Sequence, residues 1–330
     1  MPTAGGTRFS RRACLVGAAT ALCSRTGGGA TLATVRLGIL QFGTIQWLAD
    51  VIRRHGFDSG HAIALETLTL ANTDAGRVAL MAGAADIVVA DWFFVATQRA
   101  AGVGLGFVPF SAATGAIMAP SASPLRSLAD VKKVRLGVAG GPLDKSWLLV
   151  QAAARRTAGV DLTNVVYGAP PLLGAKLEQG ELDAVLTFWN FAAGLEAVGF
   201  RQVLSVADCA RALGLPGNLV LVGFVFHTGW ADANRAAVEG FLAGATEAET
   251  LLARDSDEWQ RLRPLMGAPD DTLFAALRRR FIEGIAEPAE TPEQRQAAER
   301  LFDIVLRTGG LRATGGLARL PDGVFWQASE

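Results

Sequence analysis

The residues best suited to bind a ligand lie in the Gly-rich stretch VRLGVAGGPLDKSW, residues 134–147. An alternating apolar run ends at Gly140-Gly141, and Asp144-Lys145-Ser146-Trp147 then opens an apolar run with helical spacing. A strand, a tight turn and a helix start in this order present backbone N–H groups at the positive end of a helix dipole. Because glycine admits close approach to the backbone, the stretch predicts a site for an anionic group such as a carboxylate, sulfonate or phosphate.

Lys145 strengthens this prediction, since it is the only lysine in a loop of this kind. It could equally form a surface ion pair with Asp144. The spacing excludes a nucleotide phosphate loop, because no glycine precedes Lys145 and the G-x-x-x-x-G-K-S pattern fails. The stretch therefore favours holding an anion over hydrolysing a nucleotide.

Strands and helices alternate around this stretch. Apolar strand patterns at 35–40, 63–70 and 86–90 are each followed by a helical pattern, and the alternation continues to a strand at 183–187. Such βα units predict an α/β fold with mostly parallel sheets, and 330 residues are enough for two domains.

Ligands of open α/β sheets bind beyond the carboxyl ends of the strands, so the residues at those ends form the candidate site. Four of the seven tryptophans lie there, and their rings could stack on a flat ligand or cover a cation. Asp91 could orient an amine or cap the following helix. The predicted ligand-binding residues are Gly43, Thr44, Gln46, Trp47, Asp91, Trp92, Gly140, Gly141, Asp144, Lys145, Ser146, Trp147, Trp189 and Asn190.

Two segments of the sequence follow one plan. AGAADIVVADW (82–92) and QGELDAVLTFW (179–189) each contain a helix end, an aspartate, a short apolar strand and a tryptophan. This repetition predicts two similar α/β halves that face each other.

Composition argues against several other functions. The chain is 50% hydrophobic and 19% charged with no net charge, which indicates a globular protein and no nucleic-acid partner. The histidines at 55, 61 and 227 have no metal-ligand spacing, and no nucleophile motif accompanies them. We therefore predict a protein with no metal, cofactor or catalytic residues.

Residues 1–33 have the pattern of an export signal. Ser10-Arg11-Arg12 precedes an apolar run at 13–23, and a small-residue patch at 27–30 follows. The run is shorter than the ~20 residues that span a bilayer, and the arginine pair favours the twin-arginine route over the Sec route, which stays the alternative. Cleavage near Ala30–Ala33 would leave Cys209 as the one cysteine, so we expect a periplasmic protein without an intramolecular disulfide.

Three segments carry a family resemblance: TVRLGILQFGTIQW, SPLRSLADVKKVRLGVAGG and KLEQGELDAVLTF. With the order of elements, they resemble the periplasmic substrate-binding proteins of ABC transporters, in the nitrate/sulfonate/taurine (SsuA/THI5-like) group, over residues 35–305. The resemblance implies a two-lobed clamshell of type II topology. Lobe 1 would comprise 35–113 plus 225–330, with 311–330 as a C-terminal tail, and lobe 2 would comprise 114–224. The strands by which the chain crosses between the lobes would lie near 108–118 and 219–226.

The resemblance also implies a function. Such a protein binds a small organic ligand between its lobes, here a sulfonate, a heterocycle or an amine, and delivers it to an inner-membrane ABC permease. The alternative is an exported or cytosolic enzyme on the same fold, similar to the thiamine-pyrimidine synthase or to menaquinone-pathway enzymes. The Cys-rich iron motif of the former does not occur in this sequence, and the export signal argues against the latter, which are cytosolic.

Overall fold

The computed structural model of the protein describes residues 32–41, 43–286 and 291–327. The predicted export signal at 1–33 lies almost entirely outside these residues, as do Cys14 and Cys23. Within the described chain, no helix is long and apolar enough to cross a membrane.

Two five-stranded sheets form the framework. The strands are, in chain order, β1 (Ala33–Leu40), β2 (Ile63–Leu70), β3 (Ile87–Asp91), β4 (Leu105–Ser111), β5 (Ala116–Pro120), β6 (Leu136–Ala139), β7 (Val165–Gly168), β8 (Ala184–Thr187), β9 (Phe200–Ser205) and β10 (Val222–His227). The first sheet has the order β2-β1-β3-β10-β4, and the second has the order β7-β6-β8-β5-β9.

Helices connect these strands and continue the chain after β10. They are α1 (Ile45–His55), α2 (Phe57–Gly60), α3 (Thr73–Met81), α4 (Trp92–Ala100), α5 (Leu128–Val131), α6 (Lys145–Ala158), α7 (Pro170–Glu178), α8 (Trp189–Ala197), α9 (Val206–Ala212), α10 (Thr228–Ala233), α11 (Arg235–Arg254), α12 (Ser256–Met266), α13 (Asp271–Glu283) and α14 (Pro292–Ala313). We call the first sheet together with α1–α4 and α10–α14 lobe 1. The second sheet together with α5–α9 is lobe 2.

The two sheets have one design. In each sheet a single strand, β10 or β5, runs antiparallel to both of its neighbours, while the other pairs are parallel. That strand is the one by which the chain enters from the other lobe, since β5 follows β4 and β10 follows α9. The strand predicted at 219–226 begins only at Val222, and just before it the carbonyl of Val220 accepts a hydrogen bond from the indole of Trp92.

The repeated aspartate has the same partner in both halves. Asp86, just before β3, accepts a hydrogen bond from the backbone N–H of Arg36 at 2.8 Å. Asp183, just before β8, accepts one from the backbone N–H of Arg135 at 2.8 Å. Each carboxylate thus connects the start of one strand to the parallel strand beside it, which explains the repeated sequence pattern.

Two helix pairs join the lobes. Helix α13 packs on α8, and α14 packs on α6. Ala193 of α8 lies in the apolar cluster that contains Trp47 and Phe281 of lobe 1. Leu148 of α6 shares a second cluster with Phe302 of α14. Apolar packing therefore crosses from one lobe to the other in both places.

Helix α1 is held in lobe 1 by its apolar side and by a buried carboxylate. Leu48 and Val51 are fully buried. At the end of the helix, Arg54 and His55 contact Glu258 of α12 at 2.9 and 3.0 Å, and Glu258 is only 1% exposed. These contacts fix the position of α1 and therefore of its first turn.

Glu258 should make stability depend on pH. Burial by itself raises the pKa of Glu258, but hydrogen bonds from Arg54, His55 and Arg261 outweigh burial and lower that pKa to about 2. Because the folded-state pKa lies below the unfolded value, the contribution is complete above roughly pH 5 and is lost as pH falls toward the folded-state pKa. We expect Glu258→Gln to lower the free energy of unfolding by about 2 kcal/mol at pH 7 and by less than half as much at pH 3, measured by urea denaturation. An equal loss at both pH values would contradict this account.

Candidate functional site

A cavity of about 140 Å³ lies at the carboxyl ends of the lobe 1 strands, where α8 and α13 cover it. Its walls are mostly apolar, with Thr44 and Ser111 as the polar side chains. The residues that line it are Leu40, Gly43, Thr44, Ile45, Val89, Phe110, Ser111, Trp189, Val222 and Phe281. Both lobes contribute, since Trp189 is the first residue of α8.

Two helices begin at this cavity without a side-chain cap. Thr44 is the N-cap of α1, and Phe188 is the N-cap of α8; neither side chain accepts a hydrogen bond from the first turn. The first backbone N–H groups of a helix have no i−4 partner, and they carry its positive partial charge. In α1 the N–H of Trp47 donates to the carbonyl of Thr44 at 3.1 Å, so the two N–H groups before it are the ones that face a ligand. The cavity therefore lies against two helix starts whose N–H groups can donate hydrogen bonds to an anionic oxygen.

Helices α4 and α6, which follow the inner strands β3 and β6, each begin with a carboxylate cap. Asp91 accepts a hydrogen bond from the N–H of Phe94 at 3.1 Å and caps α4. Asp144 accepts one from the N–H of Trp147 at 3.1 Å and caps α6. Burial raises the pKa of Asp144 despite these backbone hydrogen bonds. Because a capping carboxylate already accepts from a first-turn N–H group and places a negative charge there, α4 and α6 are poorer anion sites than α1 and α8.

Lys145 contacts lobe 1. Its Nζ donates a hydrogen bond to the carbonyl of Ala313 at 2.9 Å and lies 4.6 Å from the ring centre of Phe93. Burial lowers the pKa of Lys145, while the nearby carboxylates of Asp91 and Asp144 act to raise it. The ammonium group is therefore part of the contact between the lobes.

Of the two glycines in the Gly-rich turn, only Gly140 occupies a position that requires glycine. Gly140 has a φ of 85°, and an added Cβ would lie 3.3 Å from a carboxylate oxygen of Asp144. Gly141 has open space around the position of a Cβ. Glycine is thus required at 140, where it lets the chain turn back for Asp144 to cap α6.

Asp91 also forms an ion pair with Arg77. Its Oδ2 accepts a hydrogen bond from Nη2 of Arg77 at 2.7 Å. With one oxygen on Arg77 and the other on the start of α4, this carboxylate serves as a helix cap. Of the two roles open to Asp91, the structure favours the cap over orientation of an amine.

Solved structures share this architecture, although no family model and no curated protein matches the sequence. The periplasmic aliphatic sulphonate-binding protein SsuA of Escherichia coli has a TM-score of 0.70 at 19% identity, covering 90% of this chain and 93% of that chain. The alkanesulfonate-binding protein SsuA from Xanthomonas axonopodis pv. citri, bound to MOPS, has a TM-score of 0.65 at 20% identity, covering 90% and 99%. The nitrate-binding protein NrtA from Synechocystis PCC 6803 has a TM-score of 0.54 at 15% identity, covering 80% and 74%.

The chain has the fold of the periplasmic binding proteins. The predicted two-lobed α/β architecture is confirmed by these structural neighbours and by the two sheets. In this binding-protein fold, the cavity lies in the cleft between the lobes, next to the strands by which the chain crosses from one lobe to the other.

Trp92 and Trp147 were predicted to bind ligand, but both are buried in the core and neither lines the cavity. Trp92 is 0% exposed, and its Nε1 donates to the carbonyl of Val220 at 3.2 Å. Trp147 is 1% exposed and contacts Tyr167 edge to face. Both rings lie on sides of α4 and α6 that pack into the core shared by the lobes, where large apolar rings are most stable.

The other two tryptophans belong to an aromatic cluster at the cavity, formed by Trp47, Trp189, Trp259 and Phe281. The ring centres of Trp47 and Trp189 are 6.1 Å apart, and those of Trp189 and Phe281 are 6.3 Å apart. Trp47 is 4% exposed and packs behind the wall, whereas half-buried Trp189 lines the cavity itself. The cluster gives a ligand an apolar surface made by both lobes.

Three predicted residues line the cavity, namely Gly43, Thr44 and Trp189. Gln46 and Asn190 lie half-buried in the first turns of α1 and α8, while half-buried Ser146 lies in the first turn of α6, outside the cavity lining. The sequence analysis missed Leu40, Ile45, Val89, Phe110, Ser111, Val222 and Phe281. The crossing strands predicted near 108–118 and 219–226 could have indicated three of these, because the cleft of this fold lies at those crossings.

Neither a metal-binding cluster nor a reactive thiol is found among the described residues. They contain no group of three or more His, Cys, Asp or Glu side chains placed to hold a metal. Cys209 is buried, and burial raises the pKa of its thiol to about 12, so it has almost no nucleophilic thiolate at neutral pH.

Because Trp92 lies in the core and Trp189 lies at the cavity, their substitution should affect stability differently. We expect Trp92→Ala to lower the free energy of unfolding by about 3–5 kcal/mol, because it leaves a large cavity in the core. We expect Trp189→Ala to lower it by no more than about 2 kcal/mol, because that ring is half-buried at the cleft. Urea denaturation monitored by circular dichroism measures both, and equal losses would contradict the positions described.

Proposed function

We propose that this protein is the solute-binding component of an ABC uptake system, and that it holds a small organic anion of the sulfonate type in the cavity. The anionic group lies at the starts of α1 and α8, and the apolar part lies against Trp189 and Phe281. One observation carries this proposal: the cavity is lined by the first residues of two helices that lack side-chain caps.

The cavity chemistry favours a sulfonate over an amine or a large heterocycle. Its lining contains no carboxylate that would neutralise an amine, and Asp91 is occupied by Arg77 and by α4. The lining also contains no cation, so N–H groups must hold the anion, as they can for a weakly basic sulfonate. A volume of about 140 Å³ is below the ~300–1,000 Å³ of drug-sized sites, which favours a compact ligand.

The neighbours in fold support the same ligand class. Two of them are named as binding proteins for aliphatic sulfonates or alkanesulfonates, and one is named for nitrate. All of these ligands are small anions of strong acids. The mostly apolar lining of the cavity favours an organic sulfonate over nitrate, because nitrate has no apolar part to bury.

The cellular setting is part of this proposal. The names of the structural neighbours place them in the periplasm or in ABC import, and the export pattern at 1–33 agrees with a periplasmic location. We propose twin-arginine export, cleavage near Ala30–Ala33, a monomeric mature protein and an inner-membrane ABC permease as its partner. We also propose a division into one lobe at 35–113 plus 225–330 and a second lobe at 114–224.

A carboxylate at position 44 tests the role of α1. We expect Thr44→Asp to lower the affinity for butanesulfonate by roughly tenfold or more, because the new charge caps the helix and repels the ligand. Isothermal titration calorimetry measures the affinity.

Thr44→Asn is the matched control, since asparagine caps a helix as well as aspartate does but carries no charge. We expect the aspartate variant to bind clearly more weakly than the asparagine variant, while both unfold at or above the wild-type temperature. Equal affinities in the two variants would show that the anion does not lie at α1.

The affinity should also be insensitive to pH. A sulfonate stays ionised, and none of the cavity-lining residues has a side chain that titrates near neutral pH. We therefore expect the dissociation constant of butanesulfonate to change less than roughly twofold between pH 5.5 and 8.5 in calorimetry at fixed ionic strength. A tenfold weakening as pH rises would instead indicate a histidine or lysine contact with the anion.

A further inference from the structure

An ion-pair network crosses between the lobes close to the cavity. Glu196 of α8 accepts hydrogen bonds from Nη2 of Arg279 at 2.7 and 2.8 Å. The same carboxylate accepts from Nη2 and Nε of Arg280 at 2.9 and 3.2 Å. Arg280 also donates to the side chain of Gln202 in β9 at 3.3 Å. Two arginines of lobe 1 thus hold one carboxylate of lobe 2.

The network lies on the side of α8 that carries the cavity residue. Trp189, Ala193 and Glu196 are spaced four and then three residues apart, so they share one side of this helix. Trp189 and Ala193 belong to the lobe 1 cluster with Phe281, whereas Ala192 and Leu195 pack on the second sheet. One side of α8 therefore attaches to its own lobe, and the other side attaches to α13.

The pair of Glu196 with Arg280 is partly shielded from water, whereas Arg279 is half exposed. The side chain of Arg280 is 12% exposed and that of Glu196 is 34% exposed. Burial acts to raise the pKa of Glu196, but the hydrogen bonds from Arg280 and Arg279 outweigh burial and lower it. A carboxylate shared by two guanidinium groups in this setting contributes more than an isolated exposed ion pair.

We propose that Glu196 is a positioning residue for the cavity: by holding α8 on α13 through Arg279 and Arg280, it keeps Trp189 and Phe281 together over the bound ligand. The ligand then leaves only after these ion pairs have parted. The effect on ligand release rests on the proposed function, whereas the effect on lobe position does not.

The test compares the mature wild-type protein with Glu196→Gln. We expect butanesulfonate to dissociate roughly tenfold faster from the variant, with a nearly unchanged association rate, in stopped-flow measurements of tryptophan fluorescence. Without added ligand, we expect small-angle X-ray scattering to show a larger radius of gyration for the variant. Glu196→Arg combined with Arg279→Glu and Arg280→Glu should restore both values toward wild type, because it reverses every charge and keeps the attraction.

The control is Asp161→Asn, which breaks the pair of Asp161 with Arg155 at 2.6 Å inside lobe 2. It should leave both measurements unchanged. Wild-type release rate and wild-type radius of gyration in Glu196→Gln would overturn the proposal. If the wild-type protein does not bind butanesulfonate, the proposed ligand is wrong, and the radius of gyration alone decides whether Glu196 holds the lobes.

Discussion

The free N–H groups at helix starts are the constraint on which this molecule depends. Four helices, α1, α4, α6 and α8, begin at the carboxyl ends of the inner parallel strands β1, β3, β6 and β8. Each first turn has backbone donors that need an acceptor. Asp91 and Asp144 supply an acceptor for α4 and α6 from within the chain. At α1 and α8 the chain supplies no such cap, and there the cavity lies.

The same division separates the two contacts between the lobes, of which only one lies beside the cavity. Around the capped helices, Lys145 and the core tryptophans join α6 to α14 and to the core of lobe 1. Around the uncapped helices, the aromatic cluster and Glu196 join α8 to α13 beside the cavity. A ligand at the starts of α1 and α8 therefore lies next to the contact between α8 and α13.

Local sequence patterns predicted much of the fold. Alternating apolar residues located most of the strands, and the repeated aspartate indicated two similar halves. The candidate site was predicted less well, because position after a strand does not determine where a side chain points. Trp92 and Trp189 lie equally far along the chain from the repeated aspartates Asp86 and Asp183, yet one is buried in the core and the other lines the cavity. Phe281 comes from a helix distant in sequence, so no local pattern could place it there.

The most direct measurement is a crystal structure of the mature protein with butanesulfonate. The account predicts sulfonate oxygens within hydrogen-bonding distance of backbone N–H groups in the first turn of α1 or α8, with the alkyl chain against Trp189. A sulfonate at the Gly-rich turn, next to Gly140 and Lys145, would contradict it, because the anion would then bind where Asp144 already caps the helix.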